Sequence, residues 1–180
     1  MKLYTIGHSN HKLDKFIRLL EENHIGTLVD IRTAPYSRYN PQFNKENLAS
    51  ALSEREIEYA YAGKYLGGRP SDPACYKNRA LPAEGADYLH KVDYPEVMKR
   101  AWFMQAVARL LEMADERTLA IMCSEENPAE CHRHHLIAQF LFDAHPEVDV
   151  RHIRGDGTVF SARALRESVS KPAAQQIPLL

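Results

Sequence analysis

Residues 118–153 read TLAIMCSEENPAECHRHHLIAQFLFDAHPEVDVRHI, and this stretch decides the fold class. Residues 118–122 form a short apolar run of strand length, and residues 148–153, with Val148, Val150 and Ile153, read as a second strand. Between them, Asn127 as cap, Pro128 at the first helical position and Glu130 three residues after the cap mark a helix start. That helix is expected to run from Pro128 to His145. Two strands joined by a helix are the crossover unit of a parallel sheet.

The same alternation extends towards the N-terminus. Residues 3–7, 27–32 and 57–62 read as strands. Asn10 precedes a helix with Leu13, Phe16, Ile17 and Leu20 at helical spacing, and Asn44 precedes another with Leu48, Ala51 and Leu52 on one face. Pro95 opens a long helix carrying Val97, Ala101, Met104, Ala108 and Leu111. The expectation is an α/β domain, a mainly parallel five-stranded sheet flanked by helices in an open three-layer sandwich. A partial or distorted barrel is the alternative. Residues 1–155 make the domain and 156–180 an extension with a short helix near 163–168 and a mobile end, PAAQQIPLL. Residues 69–94, broken by Pro70, Pro73, Pro82 and Gly85, are an insertion, either a functional lid or a segment packed on the surface.

A chain of 180 residues, 44% hydrophobic, is long enough to bury one core unaided. Its 23 Lys and Arg nearly balance 24 Asp and Glu, which excludes a global electrostatic grip on nucleic acid but allows a local basic mouth. No apolar run approaches the roughly 20 residues of a membrane span. The N-terminus, MKLYTIGHSN, turns polar too soon for a signal peptide. The odd set Cys75, Cys123 and Cys131 is no secreted disulfide framework, so a cytoplasmic location is expected.

In parallel sheets, binding groups gather at the carboxyl ends of the strands. Five polar clusters follow the five strands: GHSN, the loop 32–38, LGGR, CSEEN and RGDG. They are expected to line one pocket. Cys123 stands at a strand end beside a helix start, a place that favours thiolate and hence a nucleophile; a small buried core residue is the other reading. His8 is an acid, base or ligand candidate, or else a side chain that closes its turn. Asp30 and Arg32 share one strand face, so Asp30 is a general base or half of a structural ion pair. Ser37 and Arg38 follow in the loop, and Gly67 and Gly68 let backbone approach a ligand closely.

Arg133 falls on the helix stripe of Ile137, Phe140 and Ala144, so its head is expected to emerge in the cleft and grip phosphate or carboxylate. A strut paired with Asp30 or Glu125 is the alternative. With Arg32, Arg38, Lys64, Arg69 and Arg154 it would complete a basic mouth. A helix starting at Pro128 turns Cys131 away from Cys123, and Cys-x7-Cys-His is no standard zinc spacing, so no metal is expected. His132, His134 and His135 point about 100° apart on a helix, cannot serve one ion together, and are expected to be mostly solvated.

These motifs resemble the family named domain of unknown function 488. The resemblance rests on TIGHS at residues 5–9, DIRTAPYSR at 30–38, LGG at 66–68 and MCSEENPAECHR at 122–133, and spans about residues 3–155. It implies an α/β fold and no settled reaction or cofactor.

Two functions fit the residues. One is an enzyme acting on a phosphorylated or nucleotide-like anion by hydrolysis or group transfer, with Cys123 as nucleophile and His8 or Asp30 as acid or base. The other is a non-catalytic module that binds nucleic acid ends through the basic mouth or senses a metal through Cys123, Cys131 and a histidine. No Walker phosphate loop, GxGxxG or Cys-x5-Arg loop is present, so ordinary ATP, dinucleotide and phosphotyrosine-phosphatase chemistry is excluded.

Overall fold

A computed structural model describes residues 1–170 of the chain. PAAQQIPLL lies outside the described residues. Six strands form one sheet: β1 (Lys2–Gly7), β2 (Thr27–Asp30), β3 (Glu58–Tyr61), β4 (Leu119–Cys123), β5 (Asp149–Ile153) and β6 (Val159–Ser161). Their order is β3-β2-β4-β1-β5-β6, and all neighbours are parallel except the antiparallel β5–β6 pair. The sheet is open and no barrel forms. β6 is a sixth strand beyond the five expected, and it carries the sheet past residue 155.

The alternation of side chains along β4 divides the core. Leu119, Ile121 and Cys123 face one apolar cluster, whereas Ala120 and Met122 face the other. The second cluster is closed by α1 (Leu13–Glu22) and α2 (Lys45–Ser53) through Phe16, Leu20, Leu48 and Leu52. Short helices α3 (Gly63–Leu66) and α4 (Tyr88–Lys91) follow, then α5 (Tyr94–Met98) and α6 (Ala101–Glu116). The first cluster is closed by α6 through Phe103, Val107 and Leu110, and by a π-helical turn, Arg133–Ala138, that continues into α7 (Gln139–Ala144). The last helix, α8, is Ala162–Ser170.

The long helix expected from Pro95 is broken. Arg100 turns extended and pairs with Asp72 at 3.2 Å, so α5 and α6 are separate. The break rephases the stripe: Met104 and Ala108 are exposed, and Phe103 and Val107 are buried instead. Residues 69–94 pack as well as loop: Cys75, Tyr76 and Val92 join the core, and Tyr76 bridges to Val92.

A polar chain runs through this core. Thr5 Oγ1 meets His152 Nδ1 at 2.7 Å, and His152 Nε2 meets His134 Nδ1 at 3.1 Å. Burial, with His134 and Arg133 nearby, pulls His152 down to about 2. Unfolded, the same ring titrates near 6.5, so between these values the unfolded chain binds the extra proton. Stability from this group is full above about pH 6.5 and falls as pH drops below it. Between pH 7 and pH 5 the expected loss is about 2 kcal/mol. Urea melts at both pH values, on the protein and on His152→Gln, measure it. The variant should show the shallower pH slope, and equal slopes would contradict the assignment.

Candidate functional site

β1 and β4 end level, with Gly7 opposite Cys123. Their pairing continues into the loops, His8 N–H donating to the Cys123 carbonyl at 3.0 Å and Ser9 N–H to the Ser124 carbonyl at 2.8 Å. Beyond this edge lies a cavity of about 660 Å³ lined by Arg32, Ser37, Gly68, Arg69, Cys123 and Ser124, among others. A second cavity of about 410 Å³, lined by His8, Ser9 and Asn10, shares Arg32, Ser37, Ser124 and Glu125 with the first. Four of the five polar clusters thus face one continuous cleft. The fifth braces it from outside: Arg154 holds Glu126 at 2.6 Å and draws its carboxyl down to about 2.

The floor of the larger cavity differs from expectation. Asn127 caps a turn as its sequence implies, its side chain accepting from Ala129 N–H at 3.1 Å. That turn is a 3-10 helix of only three residues, Pro128–Glu130, and Cys131 then turns extended (φ −140°, ψ 140°). Helix restarts at Arg133, first as the π-helical turn and then as α7. Cys131 therefore does not face away. It joins Cys123 and His132, and the two sulfurs and one ring nitrogen lie within 4.8 Å of one another. Nδ1 of His132 stands 3.6 Å from Sγ of Cys123 and 3.9 Å from Sγ of Cys131. All three side chains are buried, yet all three line the cavity. His132 and His134 are thus buried, not solvated as expected.

The two thiols differ electrically. The contact with Cys131, together with burial, pushes Cys123 up. Burial also works against the Cys131 thiolate, but hydrogen bonding from Cys123, the His132 ring and Arg133 outweigh it and pull Cys131 well down. Cys131 and His132 thus join Cys123 as candidate site residues, although the expected helix turned Cys131 away. Such a floor can attack an electrophile, form a disulfide or ligate a soft cation.

Gly68 belongs to this floor. A Cβ there would meet Nδ1 of His132 at 2.8 Å, so the ring rests on bare backbone. Gly67 is packed more deeply, against Gly63 and Thr33, and lines none of the cavities described.

Arg133 is a correction. Its head does not emerge in the cleft: the residue is 0% exposed, and its two terminal nitrogens donate to the carbonyls of Glu125 and Glu126. It is a strut, but to backbone and not to a carboxylate. By pinning these carbonyls it holds down the loop that follows Cys123.

His8 and Asp30 form a second network, apart from the thiol floor. Arg32 reaches Asp30 through Nε at 2.9 Å and Nη2 at 2.6 Å, and Nη2 also donates to the Phe43 carbonyl at 2.7 Å. Asp30 is 0% exposed and also accepts from the Tyr59 hydroxyl at 2.8 Å. Its oxygens are committed, as in a structural ion pair. His8 donates Nδ1–H to the Ser9 carbonyl at 2.8 Å and accepts from Arg32 Nη1 at 3.1 Å. Burial, then the neighbouring Arg32 charge, brings it down to about 4. A neutral ring with both nitrogens engaged orients Arg32. Arg32 donates from Nη1 to His8 and lines both cavities.

Of the remaining expected cations, Arg69 lines the cavity with its guanidinium 4.6 Å over the Tyr88 ring. Arg38 and Lys64 are exposed beside Tyr39 and Tyr65 and line none of the cavities described. The basic mouth narrows to Arg32 and Arg69. Ser37 lines both cavities and accepts from Tyr39 and Asn40 N–H at 3.2 Å, shaping its loop.

No helix among the described residues is long and apolar enough to cross a membrane. No curated protein and no solved structure matches the chain. A family model does match, over residues 12–141, a span that holds Asp30, Arg32, Gly68, Cys123, Cys131 and His132 and leaves His8 outside. By that match, the chain belongs to the family described as Domain of unknown function DUF488.

Proposed function

We propose that the protein is an enzyme, a hydrolase or group transferase, acting on a small phosphorylated or nucleotide-like anion in this cleft. One observation carries the reading: a two-thiol, one-imidazole floor lies in a polar cavity walled by Arg32 and Arg69. The arginines suit the anion, with Arg32 held in place by Asp30 and His8. Tyr36 and Tyr88 line the same cavity and offer rings for a base. Free Cys75, Cys123 and Cys131 favour a reducing, cytoplasmic setting.

A turnover screen on phosphomonoesters and nucleotides tests the proposal. Arg69→Gln is expected to raise KM about tenfold, the loss of one charged contact weakened by exposure, with kcat little changed. Cys131→Ser should abolish turnover. The exposed Arg38–Tyr39 pair at the rim suits a nucleic-acid module instead, so short DNA and RNA are run beside the screen in gel shifts. Tight shifts without turnover of any anion would replace the enzyme reading with that one.

A further inference from the structure

We propose that Cys123, Cys131 and His132 hold a divalent cation of the zinc class, with its fourth position open to the cavity. Zinc bonds of about 2.3 Å to sulfur and about 2.0–2.1 Å to nitrogen set tetrahedral edges of about 3.6 Å for S···N and about 3.8 Å for S···S. The two S···N distances here are 3.6 and 3.9 Å, and the sulfurs lie within 4.8 Å of each other. Two edges of the floor are thus close to those of such a site, and the third needs the sulfurs to move together by at most about 1 Å.

Donor chemistry agrees. Two thiolates and one imidazole form a soft-to-borderline set that prefers zinc to magnesium or calcium. Two thiolate charges cancel a divalent ion, so the filled site is neutral, as burial at 6%, 1% and 8% exposure requires. Nδ1, the nitrogen facing the sulfurs, is the ligating atom, and Gly68 sets the ring against them.

Two orphaned groups give independent support. The Tyr94 hydroxyl and His132 Nε2 are buried with no hydrogen-bond partner among the described residues. Both residues line the larger cavity. A tyrosine hydroxyl without a protein partner is free to donate to a water or substrate oxygen held in that cavity. Three protein ligands and an open corner distinguish a reactive zinc centre from a closed structural one. The argument that turned Cys131 away from Cys123 assumed a helix from Pro128, and the extended Cys131 removes it, so an unusual sequence spacing still brings the three donors together.

The inference stands on the geometry of the floor, not on turnover, and the two fail separately. Protein stripped with a chelator is reloaded with zinc, dialysed and assayed for bound metal; a cobalt-loaded sample is scanned for thiolate-to-metal charge transfer. One equivalent per chain is expected, with a cobalt spectrum of two thiolates, in the protein and in Cys75→Ser. Cys131→Ser and His132→Ala should lose stoichiometric binding, and Gly68→Ala should weaken it about 10–100-fold, the range for an outer support of a ligand. No charge-transfer band in the unaltered protein would overturn the site, and needs no variant to fold. So would full metal retention in Cys131→Ser, or a Cys123–Cys131 disulfide in a protein that takes up no metal under reduction. Bound metal without turnover of any anion would sink the enzyme reading and leave the site standing.

Discussion

Arg133→Met is expected to destabilise the protein by about 3–5 kcal/mol, because two hydrogen bonds from a charged donor, worth about 1.5–3 kcal/mol each, are lost. Methionine fills much of the space but leaves the Glu125 and Glu126 carbonyls without their donor. For a chain of this size the loss lowers the melting temperature by about 6–20 °C. Arg133→Lys retains charge but lacks the fork that spans two carbonyls, so it should recover only part of the loss. Thermal melts of the three proteins, with a phosphate titration, separate the roles. Unchanged melting with lost phosphate affinity would make Arg133 an anion ligand after all.

Gly7→Ala should cost about 3 kcal/mol or more. Its Cβ would overlap the Glu125 carbonyl oxygen, and the nearest atoms are backbone, which cannot rotate aside. The loop would have to lift, against the grip of Arg133 on that same carbonyl and the Ser9–Ser124 bond. Since Cys123 leads directly into this loop, the floor should be disturbed as well. Urea midpoints decide it: stability within about 1 kcal/mol of the parent would show that the loop yields cheaply. Arg133 below and Gly7 above therefore fix one segment from two sides.

The sheet was legible because β4 and its neighbours are apolar on both faces and bounded by polar clusters. β6 was not, since three residues at an edge, VFS, carry too short a pattern to register. The break between α5 and α6 was hidden in a continuous helical pattern, and the extended Arg100 at the break meets Asp72, a partner far away in sequence. Four of the polar clusters line the cleft, whereas Cys131 and Arg133 lie elsewhere than their sequence patterns imply. Capping signals at Asn127, Pro128 and Glu130 announce a helical turn without stating its length, and a three-residue turn in place of a full helix moved Cys131 by half a rotation. Arg133 was misplaced for a related reason: the terminal nitrogens of a buried guanidinium can be taken up by loop carbonyls, which no residue pattern displays.

The central claim is that the cleft over Cys123, Cys131 and His132 receives a small anion. Tungstate is a phosphate-shaped anion with strong anomalous scattering, and diffraction from a tungstate-soaked crystal shows directly where such an anion rests. The account predicts one dominant peak above the two sulfurs, within reach of Arg32 and Arg69. Peaks confined to Arg38 and Lys64 on the outer surface, with the cleft empty and the two sulfurs pointing apart, would contradict it.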